Sequence, residues 1–156
     1  MLGPIHSAAP LASEQKLDNP WQSRGHTVLD LGDDVFTRGR PHPMIDHRLR
    51  NERILQEAMD PETAVILLDI VLGFGSHANP AEDLAVTISE ARRATTTNEP
   101  IFIGFVCGTK NDPQNLEKQE TMMSEAGVLL MESNAQVARL AGDMILQQNS
   151  ETSELR

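Results

Sequence analysis

Tyrosine is absent from this chain of 156 residues, and the other aromatics amount to four phenylalanines and one tryptophan. The core must therefore be packed from Ile, Leu, Val, Ala and Met. No row of rings is available on which unpaired bases would stack, which argues against aromatic-platform RNA or single-strand binding. Positive charge is scarce too: 13 Lys and Arg stand against 23 Asp and Glu, for a formal net charge of −10. Binding a polyanion needs clustered cations that displace counterions from phosphates, so nucleic acid is not an expected partner. A small anion is a different matter, because local arginines and helix N-termini attract an anion that the overall charge repels. The single cysteine, Cys107, can form neither an internal disulfide nor a cysteine-based zinc site, and its place in the apolar run IFIGFVC favours a buried small hydrophobe. No apolar run approaches the roughly 20 residues of a membrane span. The N-terminal MLGPIHSAAPLASEQ lacks the basic-then-apolar order of a signal peptide. No membrane partner is expected, and the expected location is the cytoplasm.

What the chain does contain is one domain's worth of apolar residues, 39% of the total. Residues 1 to 25 hold Gly3, Pro4, Pro10 and Pro20 without a sustained period and read as a flexible arm or linker, although Leu11, Leu17 and Trp21 offer docking points. A regular pattern follows over 26–148. TVLDL (27–31), TAVILLDIVL (63–72), EPIFIGFVC (99–107) and GVLLME (127–132) are short runs rich in β-formers. The second and third are nearly continuous, as parallel strands covered on both faces should be. Helical patterns with legible caps lie between them: Asp46 before 47–59, Asn79 with Pro80 before a helix to about Ala94, and Asp112 with Pro113 before a helix to Ala126. Ser133 and Gln136 form a capping box for a last helix ending near Gln147, and 149–156 read as a frayed tail. Strict alternation of strand and helix predicts an α/β/α three-layer sandwich, flavodoxin-like or Rossmann-like, on a parallel sheet of about four to five strands.

In such a sheet the ligand crevice lies at the carboxyl ends of the strands. Four loops are expected to meet there, and the first is the most informative. Between Leu29 and Asp46, LDLGDDVFTRGRPHPMID displays Asp33, Asp34, Arg38, Arg40 and His42 on a segment stiffened by Pro41 and Pro43. It reads either as a site or as a rim loop whose arginines pair with its own aspartates. The second loop, GFGSHANP, brings Gly75, Ser76 and His77; its glycines either let backbone approach an anion or merely make a βα turn, and GFGSHA meets the G-x-G-x-x-G pattern only in its permissive form at Ala78. His77 is either an acid–base or ligand group or a polar surface residue. The third loop adds Thr109 and Lys110, with Asp112 committed to capping. Arg50 and Arg53, with Glu57 at helical spacing, are most simply a solvated helix face. No zinc-type spacing and no Ser-His-Asp set is legible from residue order, so no metal and no catalytic residue is assigned. The candidate anion or phosphate site is Arg38, Arg40, His42, Gly75, Ser76, His77, Thr109 and Lys110.

VLDLGDDVFTRGRPHPMIDHRLRNERI, ILLDIVLGFGSHANPA, GFVCGTKNDPQ and EAGVLLMESNAQVARLA together resemble the carboxy-terminal domain of FdrA proteins, which are acyl-CoA synthetase-like. More distantly they resemble the ligase domain of the succinyl-CoA synthetase α subunit. The FdrA likeness rests chiefly on GRPHPMID and GT-x-x-DPQ, and the wider one on strand-helix order. The resemblance implies a flavodoxin-like domain that works beside a separate CoA-binding-type domain, in a homo-oligomer or with a companion ligase-like subunit, and is inactive alone. CoA or phosphate would then be bound largely through a partner domain. It also implies, as an alternative to acyl-CoA formation, a subunit of an oxamate carbamoyltransferase-type complex in allantoin and purine breakdown. The phosphohistidine of the succinyl-CoA synthetases is not carried over, because Gly108 to Asp112 contain no histidine and neither His42 nor His77 stands at the matching position. The upstream domains of FdrA proteins have no counterpart here, as expected of a separately encoded subunit or a fragment. A purely structural interaction module is the remaining alternative, with apolar helix positions such as Met122, Met123, Leu140 and Met144 divided between core and interface.

Overall fold

The computed structural model describes residues 2–95 and 98–154, with backbone alone for 149–154. The chain is α/β with parallel pairing throughout, consistent with the expected flavodoxin-like sandwich. Its elements are β1 (Ile5–Ser7), β2 (His26–Val28), α1 (Asp34–Thr37), α2 (Arg48–Ala58), β3 (Val65–Val71), α3 (Pro80–Ala94), β4 (Ile101–Cys107), α4 (Leu116–Glu125), β5 (Leu129–Leu130) and α5 (Asn134–Glu154). They form a main sheet ordered β3-β4-β5 and a separate β1-β2 pair. The main sheet is thus smaller than the four or five strands expected, because the first expected strand pairs with β1 instead. Asp30 ends that strand early: its Oδ1 accepts the Gly32 N–H at 2.8 Å and turns the chain out of the sheet.

The two apolar runs behave as continuous hydrophobicity predicts. β3 and β4 pair over their whole length, from Val65 opposite Ile101 to Val71 opposite Cys107. Side chains alternate between the faces of a strand. On one face Leu68, Ile70, Phe102 and Val106 pack with Ile54 and Ala58 of α2, Leu84 and Ile88 of α3 and Met123 of α4. On the other, α5 packs against β3 and β4. Pro80 opens α3 as expected, and at the start of α5 the Gln136 N–H donates to Ser133 Oγ while Gln136 Oε1 accepts the Glu132 N–H. Gly127, at φ +81°, ends the α4 turn. The α5 backbone continues to Glu154 rather than fraying after Gln147, and residues 155–156 of the expected tail lie outside the described residues.

Four local expectations change. Residues 1–25 carry β1 and a single 3-10 turn, bury Leu17 to 5% exposure, and set the Trp21 ring edge-on against Phe36 with centroids 5.1 Å apart. Leu11 stays fully exposed. The helix expected to start after Asp112 starts at Leu116, capped by Asn115, which accepts the Lys118 N–H at 3.1 Å. Asp112 is occupied elsewhere: its carboxylate takes both the N–H and the hydroxyl of Thr109. Cys107 is exposed rather than buried, being the last residue of β4 at the open carboxyl edge. Arg53 is no solvated residue either; it is 8% exposed and bonds Glu57, the Pro20 carbonyl and the Ser23 hydroxyl, which fastens the N-terminal segment to α2.

Candidate functional site

The carboxyl edge of the main sheet is built by glutamines. Beyond β3, Gly73 at φ +128° and Gly75 at φ +87° make a turn that side-chain-bearing residues adopt only with strain. Gln114, from the loop after β4, clamps it. Its Oε1 accepts the Gly73 N–H, and its Nε2 donates to the Gly73 carbonyl at 2.8 Å and the Ser76 hydroxyl at 2.9 Å. Gln119, 1% exposed, accepts the Ala81 N–H and donates to Asn79 Oδ1 and the Gln114 carbonyl, each at 2.9 Å. These bonds fix where α3 begins relative to α4. The proline-pinned loop joins the same edge through the His77 N–H, which donates to the Met44 carbonyl at 2.9 Å.

Several residues singled out in the sequence are committed locally. Thr109 is held by Asp112, and the Lys110 ammonium lies 3.3 Å from Glu117. The Ser76 hydroxyl donates to the Gly73 carbonyl. The Arg40 guanidinium sits over the Trp21 ring, 5.5 Å from its centroid. His42 Nδ1 accepts the Met44 N–H at 3.1 Å, which pins the loop to itself. Asp33 caps α1 through the Val35 N–H, and among the described residues neither Arg38 nor Arg40 makes an ion pair with Asp33 or Asp34. Arg38 is exposed after α1. The described contacts therefore join the first loop to the second and the second to the third, without a bond from Arg38, Arg40 or His42 to Thr109 or Lys110.

Beside this edge lies a corner made largely of residues the sequence did not point to. His47 stands immediately before α2, His77 in the loop after β3, and Asp83 in the first turn of α3. Asp83 Oδ2 is 3.5 Å from His47 Nδ1 and 3.4 Å from His77 Nε2. The two imidazole rings are stacked at a tilt, with centroids 4.4 Å apart. His47 is buried, and its Nδ1 has no hydrogen-bond partner. Burial above all, then Arg50 and His77 nearby, lower its pKa to about 4 against the pull of Asp83, so the ring is neutral at neutral pH. Arg50, one turn along α2, keeps Nε and Nη2 shut off from water and unpaired. Desolvation lowers its pKa, while Asp69 and Asp83 act to hold its charge. Each shielded and unpaired polar group costs about 1–3 kcal/mol. An anion would satisfy the guanidinium, and a cation would satisfy the imidazole.

Order along the chain could not show this corner. His47 follows a capping Asp46, whose Oδ1 accepts the Arg48 N–H, and so looked like the start of a helix and nothing more. Arg50 lies at helical spacing from charged neighbours, and its shielding comes from tertiary packing around α2. His77 was the one residue of the corner with a visible signal, through its place beside the glycine turn.

The family model described as CoA-ligase matches residues 6–144. The chain is also 43% identical over 145 residues to the uncharacterized protein YahF of Escherichia coli (strain K12), across 92% of this chain and 28% of YahF. The chain thus spans much less than the length of that curated relative. Among the described residues no helix is long and apolar enough to cross a membrane. A parallel α/β domain whose strand-end loops are tied together, matched across nearly all of its length, belongs to the CoA-ligase family.

Proposed function

We propose that this chain is the ligase-type domain of an acyl-CoA synthetase-like assembly, inactive alone, which holds an anionic or phosphate-bearing ligand at the carboxyl edge of its main sheet. The observation that carries the anion is Arg50, whose two shielded guanidinium nitrogens find no hydrogen-bond partner among the described residues. The N-termini of α2 and α3 lie beside it, and helix N-termini favour an anion. In this reading Arg38, Arg40, His42, Gly75, Ser76, His77, Thr109 and Lys110 would form the wider wall of that ligand site. Thr109, Lys110 and Arg40 would have to exchange their present partners to reach a ligand. Dependence on other domains is supported by length, since the matched region is 28% of YahF. The narrower FdrA reading rests on GRPHPMID and GT-x-x-DPQ. In the fold these segments supply the Met44 carbonyl and Gln114, the two groups that bind the loops together.

Calorimetric titration of phosphate, carbamoyl phosphate and CoA into the chain, alone and then mixed with its companion subunits, tests the proposal. Saturable binding of one of these anions is expected, weakened about tenfold by Arg50→Gln, a typical loss for one charge-assisted hydrogen bond. Absence of binding in both settings, or binding indifferent to Arg50→Gln, Arg40→Ala and Lys110→Ala, would overturn it. Carbamoyl phosphate binding without CoA binding would favour the carbamoyl-transfer form of the assembly.

A further inference from the structure

We propose that His47 Nδ1, His77 Nε2 and Asp83 Oδ2 form a three-ligand site for a divalent first-row transition cation of the Zn2+ type, with its remaining coordination open. The three ligand atoms come from three elements and lie within 4.8 Å of one another. Ligands about 2.0–2.1 Å from a tetrahedral zinc are separated by roughly 3.3–3.4 Å. The two contacts to Asp83, at 3.5 and 3.4 Å, already have nearly that spacing. The remaining gap between the rings would close by turning His77, whose side chain is 31% exposed.

The burial of one of these ligand atoms is a second observation that points to a ligand. The His47 side chain is 3% exposed, and its buried Nδ1 is aimed at Asp83 without making a hydrogen bond. An imidazole nitrogen facing another imidazole and a carboxylate is a donor set for a borderline cation. Two nitrogens and one carboxylate match the zinc sites that keep a position for water or substrate. The same set suits Mg2+ or Ca2+ poorly, since both take oxygen ligands.

Two features work against the site and set its strength. Coordination through Nε2 moves the His77 ring proton to Nδ1, which now accepts the Asn79 N–H at 3.3 Å, so that long bond is exchanged for water. The Arg50 guanidinium adds positive charge, offset by Asp83 and Asp69. Affinity should therefore be moderate, and an anionic oxygen bound beside Arg50 should raise it. Metal binding itself does not depend on the anion reading above.

The test uses the whole chain, free of any histidine-bearing tag, with Zn2+ followed by calorimetry and Co2+ by its visible d–d absorption. One ion per chain is expected, with the intense Co2+ spectrum of a low-coordinate site and a rise in melting temperature. His77→Ala and Asp83→Asn alter partly exposed side chains, and each should weaken binding about 100-fold, at the upper end of what loss of a ligand's supporting partner costs. Their fold is checked by circular dichroism in chelator. His26→Ala, an exposed histidine in β2, should leave binding unchanged. Failure to bind one ion per chain, or binding that persists in both His77→Ala and Asp83→Asn, would overturn the site. Loss of binding in His26→Ala alone would place the ion at the N-terminal segment and overturn it equally.

Discussion

Two polar clusters adjoin one another at the end of the main sheet and are finished very differently. In the glutamine clamp, both functional atoms of Gln114 and of Gln119 have partners, and the bonds join the loop after β3, the start of α3 and the entry to α4. In the corner of His47, Arg50, His77 and Asp83, one imidazole nitrogen and two guanidinium nitrogens are shielded with no hydrogen-bond partner among the described residues. A buried polar group that is satisfied contributes to a unique fold, whereas an unsatisfied one subtracts from stability unless something else supplies its partner. The clamp is thus the part that positions, and the corner is the part that we propose takes a ligand. In this division GRPHPMID and GT-x-x-DPQ act through the Met44 carbonyl and the Gln114 side chain, which tie the loops together.

The comparison can be broken most severely at Gln119. Gln119→Leu keeps the volume but strands the Ala81 N–H, Asn79 Oδ1 and the Gln114 carbonyl, and should lower unfolding free energy by about 3 kcal/mol in a urea titration. Gln114→Ala, in a less buried place, should cost about 2 kcal/mol and loosen the glycine turn, read as faster amide exchange over 73–77. Gly127→Ala tests the packing between α3 and the end of α4. A left-handed φ together with a Cβ 2.5 Å from the Arg92 guanidinium should cost about 1–2 kcal/mol in the same titration. The smallest effect on stability belongs to Arg50→Gln. The substitution removes a shielded, unpaired charge but leaves a polar amide in its place, and with the two offsetting, stability should change by less than about 1 kcal/mol. Yet the same change should weaken the anion and tighten Zn2+, because it removes a repelling charge. A large loss of stability at Arg50 with no change in ligand affinity would place the corner in the same class as the clamp.

How much of this was legible along the chain depended on whether the cause was local. The runs that became β3 and β4, Pro80 at the first turn of α3, the Ser133–Gln136 capping box and Gly127 after α4 are short-range signals, and each appears where expected. Asp112 shows the limit of such signals. An aspartate before proline suits a helix cap and a turn equally, and the choice fell to the turn because Thr109 lay within reach. Residues 1–25 hid their structure for a different reason. β1 is three residues long and pairs in parallel with β2 about twenty positions away, so no periodicity betrays it. Cys107 follows an apolar run but ends it at the open edge, where apolar context no longer means burial. The corner depended on tertiary packing around α2, which turns Arg50 from a surface charge into a shielded one. No spacing along the chain encodes His47, His77 and Asp83 as neighbours.

Side-chain nitrogen spectra of the isotopically labelled chain, recorded during separate titrations with Zn2+ and phosphate, test the division between clamp and corner most directly. The account predicts that Zn2+ shifts the ring nitrogens of His47 and His77, that phosphate shifts Arg50 Nε, and that the Gln114 and Gln119 amides stay nearly still. Shifts concentrated on the glutamine amides, or a corner that responds to neither titrant, would contradict it.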